Sequence, residues 1–120
     1  MQFEQVNAWS DILELSDKEQ KPIFLDAYAP WCKECRRMDK DVFQDKELSV
    51  FFNEHFLNVK IDITSAVGKI LAKDLDIIFL PTMLILNSDG YVTMRLEGGK
   101  TTMELLSAGK FMSDRMSMSN

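Results

Sequence analysis

A chain of 120 residues has room for one domain. Hydrophobic residues make up 46% of it, including eight Phe, two Trp and two Tyr, which is enough apolar area for a core and excludes disorder as the main state. The net charge is −5, and the basic group Lys33, Arg36, Arg37 and Lys40 is interleaved with Glu34, Asp39 and Asp41, so no basic stripe exists to bind nucleic-acid phosphates.

The apolar periodicity predicts helices alternating with strands. Trp9, Ile12 and Leu13 fall at helical spacing within about Asn7 to Leu15, with Asn7 as the expected cap. Ile23 to Tyr28 is an apolar run suited to a buried strand. A charged helix begins near Cys32 with Met38 and Val42 on its inner face, and Leu48, Phe51, Phe52 and Phe56 form a second helical stripe. Leu57 to Ile63 alternates as a strand, and Val67, Ile70 and Leu71 suggest a short helix. Thr82 to Leu86, the turn Asn87-Ser88-Asp89-Gly90 and Tyr91 to Leu96 predict an antiparallel hairpin, and a last helix runs from Thr101 to about Phe111. The order αβααβαββα calls for an α/β fold with a mixed sheet, parallel where helices cross over and antiparallel at the hairpin. No repeat or linker divides the chain, so one domain is expected over 1–111, with a flexible tail over 112–120. Met112, Met116 and Met118 in that tail could offer thioethers to Cu(I), but their Ser, Asp and Asn neighbours argue for a loose end.

No membrane insertion is expected: the most apolar run, Ile77 to Leu86, is shorter than the ~20 residues of a spanning helix and is broken by Pro81 and Thr82. The opening residues Met1 to Gln5 lack the basic and apolar regions of a secretory leader.

Cys32 and Cys35 are the two cysteines of the chain. A disulfide between them closes so small a ring that it removes little entropy from the unfolded chain, so chemistry explains the pair better than stability does. A structural zinc site needs four ligands, and the remaining soft donor is His55, which lies in the Phe-rich helical stripe; zinc shared between two chains stays open. The redox alternative gains from position. Cys32 falls where a buried strand gives way to a helix, where free backbone N–H groups and the helix dipole stabilise a thiolate. Cys35 lies one turn inward, which suits a resolving thiol.

The run Lys21-Pro22-Ile23-Phe24-Leu25-Asp26-Ala27-Tyr28-Ala29-Pro30-Trp31-Cys32-Lys33-Glu34-Cys35 resembles the active-site strand and loop of thioredoxins. Leu80-Pro81-Thr82 with the following Met83-Leu84-Ile85-Leu86 resembles their cis-proline loop and strand, and Asn87 to Gly90 and Gly98 fall where that family has its hairpin turn and a glycine near the active site. The stretch Cys35 to Phe43 is similar to a subgroup that includes the C-terminal thioredoxin-like domain of bacterial transmembrane disulfide reductases.

The resemblance implies a thioredoxin fold, a central mixed β-sheet flanked by helices, and a thiol–disulfide oxidoreductase acting on protein disulfides, as a reductase. It implies Cys32 as nucleophile, Cys35 as resolving thiol and Asp26 as a buried acid behind Cys35. It places Trp31, Leu80, Pro81 and Gly98 at the substrate. The lysine that partners the acid aligns at Asn58, although Lys60 has the right strand and parity. No metal and no organic cofactor are implied; electrons would come from another protein's dithiol, and the domain would act as a monomer. Lys33-Glu34 replaces the Gly-Pro of housekeeping thioredoxins, which leaves the direction of electron flow open. The subgroup favours an exported protein, and the missing leader a cytoplasmic one. Two rival expectations are a binding or chaperone module with an incidental dithiol, and a metal-binding CxxC domain.

Overall fold

The computed structural model describes residues 1–117; of the expected tail, residues 118–120, with Met118, lie outside the described residues. The elements are β1 (Glu4–Gln5), α1 (Trp9–Glu19), β2 (Ile23–Tyr28), α2 (Lys33–Asp41), α3 (Lys46–His55), β3 (Leu57–Asp62), α4 (Ala66–Asp74), β4 (Thr82–Leu86), β5 (Val92–Glu97) and α5 (Thr102–Ser117). The sheet runs β1-β3-β2-β4-β5, with β1, β3 and β2 parallel and β4 antiparallel to both β2 and β5. This is the mixed sheet flanked by helices that the alternation predicts.

The central strands are apolar on both faces because each face is covered. On one side Ile12 of α1 and Leu71 of α4 pack with Leu25, Ala27, Val59, Ile61 and Leu84. On the other, Met38 of α2, Leu48 and Phe52 of α3 and Leu105 of α5 pack with Phe24, Met83 and Ile85. Phe52 is fully buried, 4.9 Å from Phe24 and 5.0 Å from Phe56 between ring centroids. Gly109 of α5 leaves the space that this ring fills. Phe52→Ala is expected to cost about 3–5 kcal/mol, from lost burial plus the cavity left behind, read as a lower denaturant midpoint at unchanged slope.

Three expectations need correction. The strand β1 has no apolar signal, since Glu4 and Gln5 are both exposed; it exists through its edge pairing, Glu4 to Val59 and Gln5 to Lys60. The first helix starts after Ala8, whose extended backbone provides no side-chain cap, so Asn7 is not the cap, and it continues four residues past Leu15 because Ser16 turns inward to bond the Lys21 carbonyl. The last helix does not end at Phe111. It runs to Ser117, and Met112, expected in a loose tail, is buried because it lies two turns after Leu105 on the same stripe.

Candidate active site

Strand β2 leaves the sheet at Tyr28, and Ala29-Pro30-Trp31 leads to Cys32 at the N-cap of α2. The backbone N–H of Cys35 donates to Cys32 Sγ at 3.2 Å, so the sulfur takes the place that a capping oxygen holds in α3 and α4. Cys32 and Cys35 are joined as a disulfide, with Cα atoms 5.3 Å apart. Cys32 is 7% exposed and Cys35 3%. In the reduced protein a Cys32 thiolate would therefore receive an N–H bond and the positive end of the helix dipole, while Cys35 sits deeper. Brief iodoacetamide treatment at neutral pH is expected to label Cys32 before Cys35; mass mapping with Cys35 labelled first would contradict this order.

Leu80 packs against the small buried cluster of Ala29, Cys32 and Cys35. The Leu80–Pro81 peptide bond is cis, and the Pro81 carbonyl accepts the Gly98 N–H at 2.8 Å. Gly98 adopts φ 87°, a left-handed conformation that favours glycine. Thr82 Oγ1 donates to the Phe79 carbonyl at 2.6 Å and so ties the start of β4 to the loop. Glu34, between the cysteines, pairs with Arg37, whose Nη2 donates to the Lys100 carbonyl at 3.1 Å. The dithiol, the Leu80–Pro81 loop and the Gly98–Thr101 segment are thus linked. Trp31 is 70% exposed, which makes it a surface aromatic and not a core residue.

Asp26 lies in the middle of β2, 2% exposed, on the face shared with Phe24 and covered by α2. The Lys60 ammonium donates to Asp26 Oδ2 at 2.8 Å and to Asp39 Oδ1 at 2.7 Å. Asp26 Oδ1 is buried without a hydrogen-bond partner. Burial pushes the Asp26 carboxyl above its ordinary acidity range, against the lowering effect of Lys60. Burial also acts to neutralise Lys60, but the charges and hydrogen bonds of Asp26 and Asp39 outweigh it and keep the ammonium more basic than usual.

The alignment expectation for the lysine was wrong. The β2–β3 register sets Asp26 opposite Lys60, whereas the Asn58 side chain is spent on the Phe52 carbonyl and Asn53. Asp39 was missed as a site residue. Its signal was available, because it follows Cys35 by four positions and therefore shares its helix face.

Among the described residues no group of three or more His, Cys, Asp and Glu is placed to hold a metal, and no helix is long and apolar enough to cross a membrane. His55 is stacked on Phe51 at 4.1 Å and makes its Nδ1 contact to the Phe51 carbonyl.

The thioredoxin-like domain family matches residues 10–113. The chain is 29% identical over 92 residues to a thiol:disulfide interchange protein DsbD of Photorhabdus laumondii, covering 75% of this chain and 16% of the relative. It is 28% identical over 104 residues to DsbD of Pasteurella multocida, covering 84% and 17%. The chain thus spans about a sixth of the length of these relatives. A solution structure of a candidate disulphide-isomerase from Bacteroides thetaiotaomicron superposes with TM-score 0.82 at 34% identity, over 92% of this chain and 90% of that one. The oxidised C-terminal domain of Neisseria meningitidis DsbD shares the fold, with TM-score 0.72 at 22% identity over 92% and 97% of the two chains. With this match along nearly its whole length, and a dithiol placed at the head of α2, the chain belongs to the thioredoxin-like family of protein-disulfide oxidoreductases.

Proposed function

We propose that this domain reduces disulfides of protein substrates, drawing electrons from the dithiol of another protein. The observation that carries the reading is the Cys32 sulfur at the helix N-cap, bonded by the Cys35 amide and flanked by the Leu80–Pro81 loop. The Cys32 thiolate attacks one sulfur of the substrate disulfide. A Cys32–substrate disulfide forms, and the other substrate sulfur leaves as a thiolate that takes up a proton from water. Cys35 then gives its proton to the Asp26 carboxylate and attacks Cys32, so the second substrate sulfur is released and the Cys32–Cys35 disulfide remains. The substrate gains two electrons and the dithiol loses two; a donor dithiol restores the reduced form by the reverse exchange.

Support for Leu80, Pro81, Gly98 and Trp31 as the substrate-facing set comes from the packing of Leu80 on the cysteine cluster, the bond of the Gly98 N–H to the Pro81 carbonyl, and the place of Trp31 directly before Cys32. The exposed Trp31 offers a flat apolar contact to a substrate. The sulfurs themselves carry the electrons, so the proposal assigns no metal and no organic cofactor. Insulin in excess dithiothreitol gives the test. Precipitation of the reduced B chain should be accelerated by catalytic amounts of the wild-type protein and by neither Cys32→Ser nor Cys35→Ser. Equal rates with and without wild-type protein would favour a binding module with an idle dithiol.

A further inference from the structure

Lys60 is enclosed more fully than its two ion pairs require. Its Nζ lies 5.1 Å from the ring centroid of Phe3, 4.6 Å from that of Tyr28 and 5.4 Å from that of Phe43. The rings come from three places: the segment leading into β1, the end of β2, and the turn after α2. Each presents an electron-rich face that attracts an ammonium and occupies a direction water would otherwise take. The Lys60 side chain is accordingly only 15% exposed.

Sheet order decides which wall is removable. Strand β3 lies between β2, which carries Asp26, and the edge strand β1. Gln5 pairs with Lys60, and Phe3, two positions earlier, points to the same face. Phe3 therefore closes the edge side, opposite Asp26, where its ring also meets Phe43 edge-on at 5.2 Å. The segment that holds it is short: two register pairs and a bond from the Gln2 N–H to Asn53 Oδ1 at 3.0 Å.

We propose that Phe3 is a positioning residue, whose ring seals the edge side of Lys60 and so keeps the Asp26–Lys60 pair dry and in register beneath the Cys35 face of α2. The groups facing the ammonium are Asp26 and the Tyr28 phenol from β2 and Asp39 from α2; the Met1 ammonium is engaged at the Phe43 carbonyl, 3.0 Å away, and Glu4 is exposed. With the seal in place the ammonium is divided between two carboxylates. Without it, water solvates ionised Asp26, whose charged form then persists to lower pH. Asp39 is 43% exposed already, so the seal serves the Asp26 side of the pair.

The inference rests on the proposed redox cycle for the use made of the Asp26 proton, but not for the titration itself. The test follows the ¹³C carboxyl resonance of Asp26 with pH in the reduced protein, for wild type, Phe3→Ala and Phe3→Leu. A parallel pH profile of turnover uses a small disulfide, so that protein docking does not enter. In Phe3→Ala the Asp26 midpoint and the acid limb of turnover should both move down by about one pH unit. Phe3→Leu retains an apolar wall and should stay near wild type. Phe3→Gln, which admits water but keeps bulk, replaces the alanine variant if that variant does not fold. An unmoved Asp26 midpoint in a destabilised variant would make Phe3 a packing residue and overturn the proposal. A wild type that turns over no disulfide would defeat the redox reading, and the carboxyl titration would still decide whether Phe3 seals the cluster.

Discussion

Cys35→Ser is expected to accumulate a covalent adduct with substrate, and Cys32→Ser to accumulate none. In the first variant the Cys32 sulfur keeps its place at the N-cap of α2 and still attacks. The group that would release the adduct is then a hydroxyl, too weak a nucleophile to displace a sulfur at neutral pH. In the second, the remaining thiol of Cys35 is 3% exposed, and a substrate disulfide has little access to it. Turnover should vanish in both, while stability changes little, because a disulfide closing so short a loop restricts the unfolded chain only slightly. Non-reducing electrophoresis of each variant mixed with an oxidised protein substrate reads the outcome. Adducts on Cys32→Ser would reverse the roles of the two cysteines, and adducts on neither would remove the dithiol from catalysis.

Asp26→Asn should slow the reaction and stabilise the fold. The loss of rate is expected at about 100-fold, the low end for removal of a positioned proton acceptor. The gain in stability follows from linkage. Burial raises the pKa of Asp26 in the folded state above its unfolded value of about 3.9, so ionisation costs the wild type stability as pH rises from the unfolded to the folded pKa. Below that window both proteins are neutral at this position. Above it the advantage of Asn levels off, at about 1.4 kcal/mol for each unit separating the two states. Lys60 keeps Asp39 as a partner at 2.7 Å, so the variant leaves no unpaired buried cation. Denaturant midpoints of both proteins between mildly acidic and neutral pH give the comparison. An Asn variant that is less stable at neutral pH would mean that Lys60 outweighs burial, and Asp26 would then be a structural anion.

The parts of this fold legible in the sequence are those specified by local pattern. Strand β2, the β4–β5 hairpin and the Cys32–Cys35 loop announce themselves through apolar runs, a turn and a short motif, and Asp26 stands out as an acid in an apolar strand. What local pattern does not specify is pairing between distant segments. Alternation in β3 offers both Asn58 and Lys60 on one face, and only the β2–β3 register selects Lys60 as the partner of Asp26. Strand β1 is two exposed polar residues whose identity depends on the free edge of β3, so neither it nor the placement of Phe3 could be read in advance. The end of α5 is hidden from the sequence for a related reason. The Met-rich segment looks polar in composition, but Met112 continues the buried stripe of Leu105 when the helix packs on α3.

The proposed reduction requires electrons to pass from the Cys32–Cys35 dithiol to a disulfide of another protein. A single-turnover experiment tests it most directly: fully reduced protein, freed of all other reductant, is mixed with an excess of a disulfide-containing protein and quenched with an alkylating agent. Mass analysis should find one substrate disulfide opened for each Cys32–Cys35 disulfide formed. A Cys32–Cys35 pair that remains reduced, with the substrate disulfides intact, would rule out electron transfer by this dithiol.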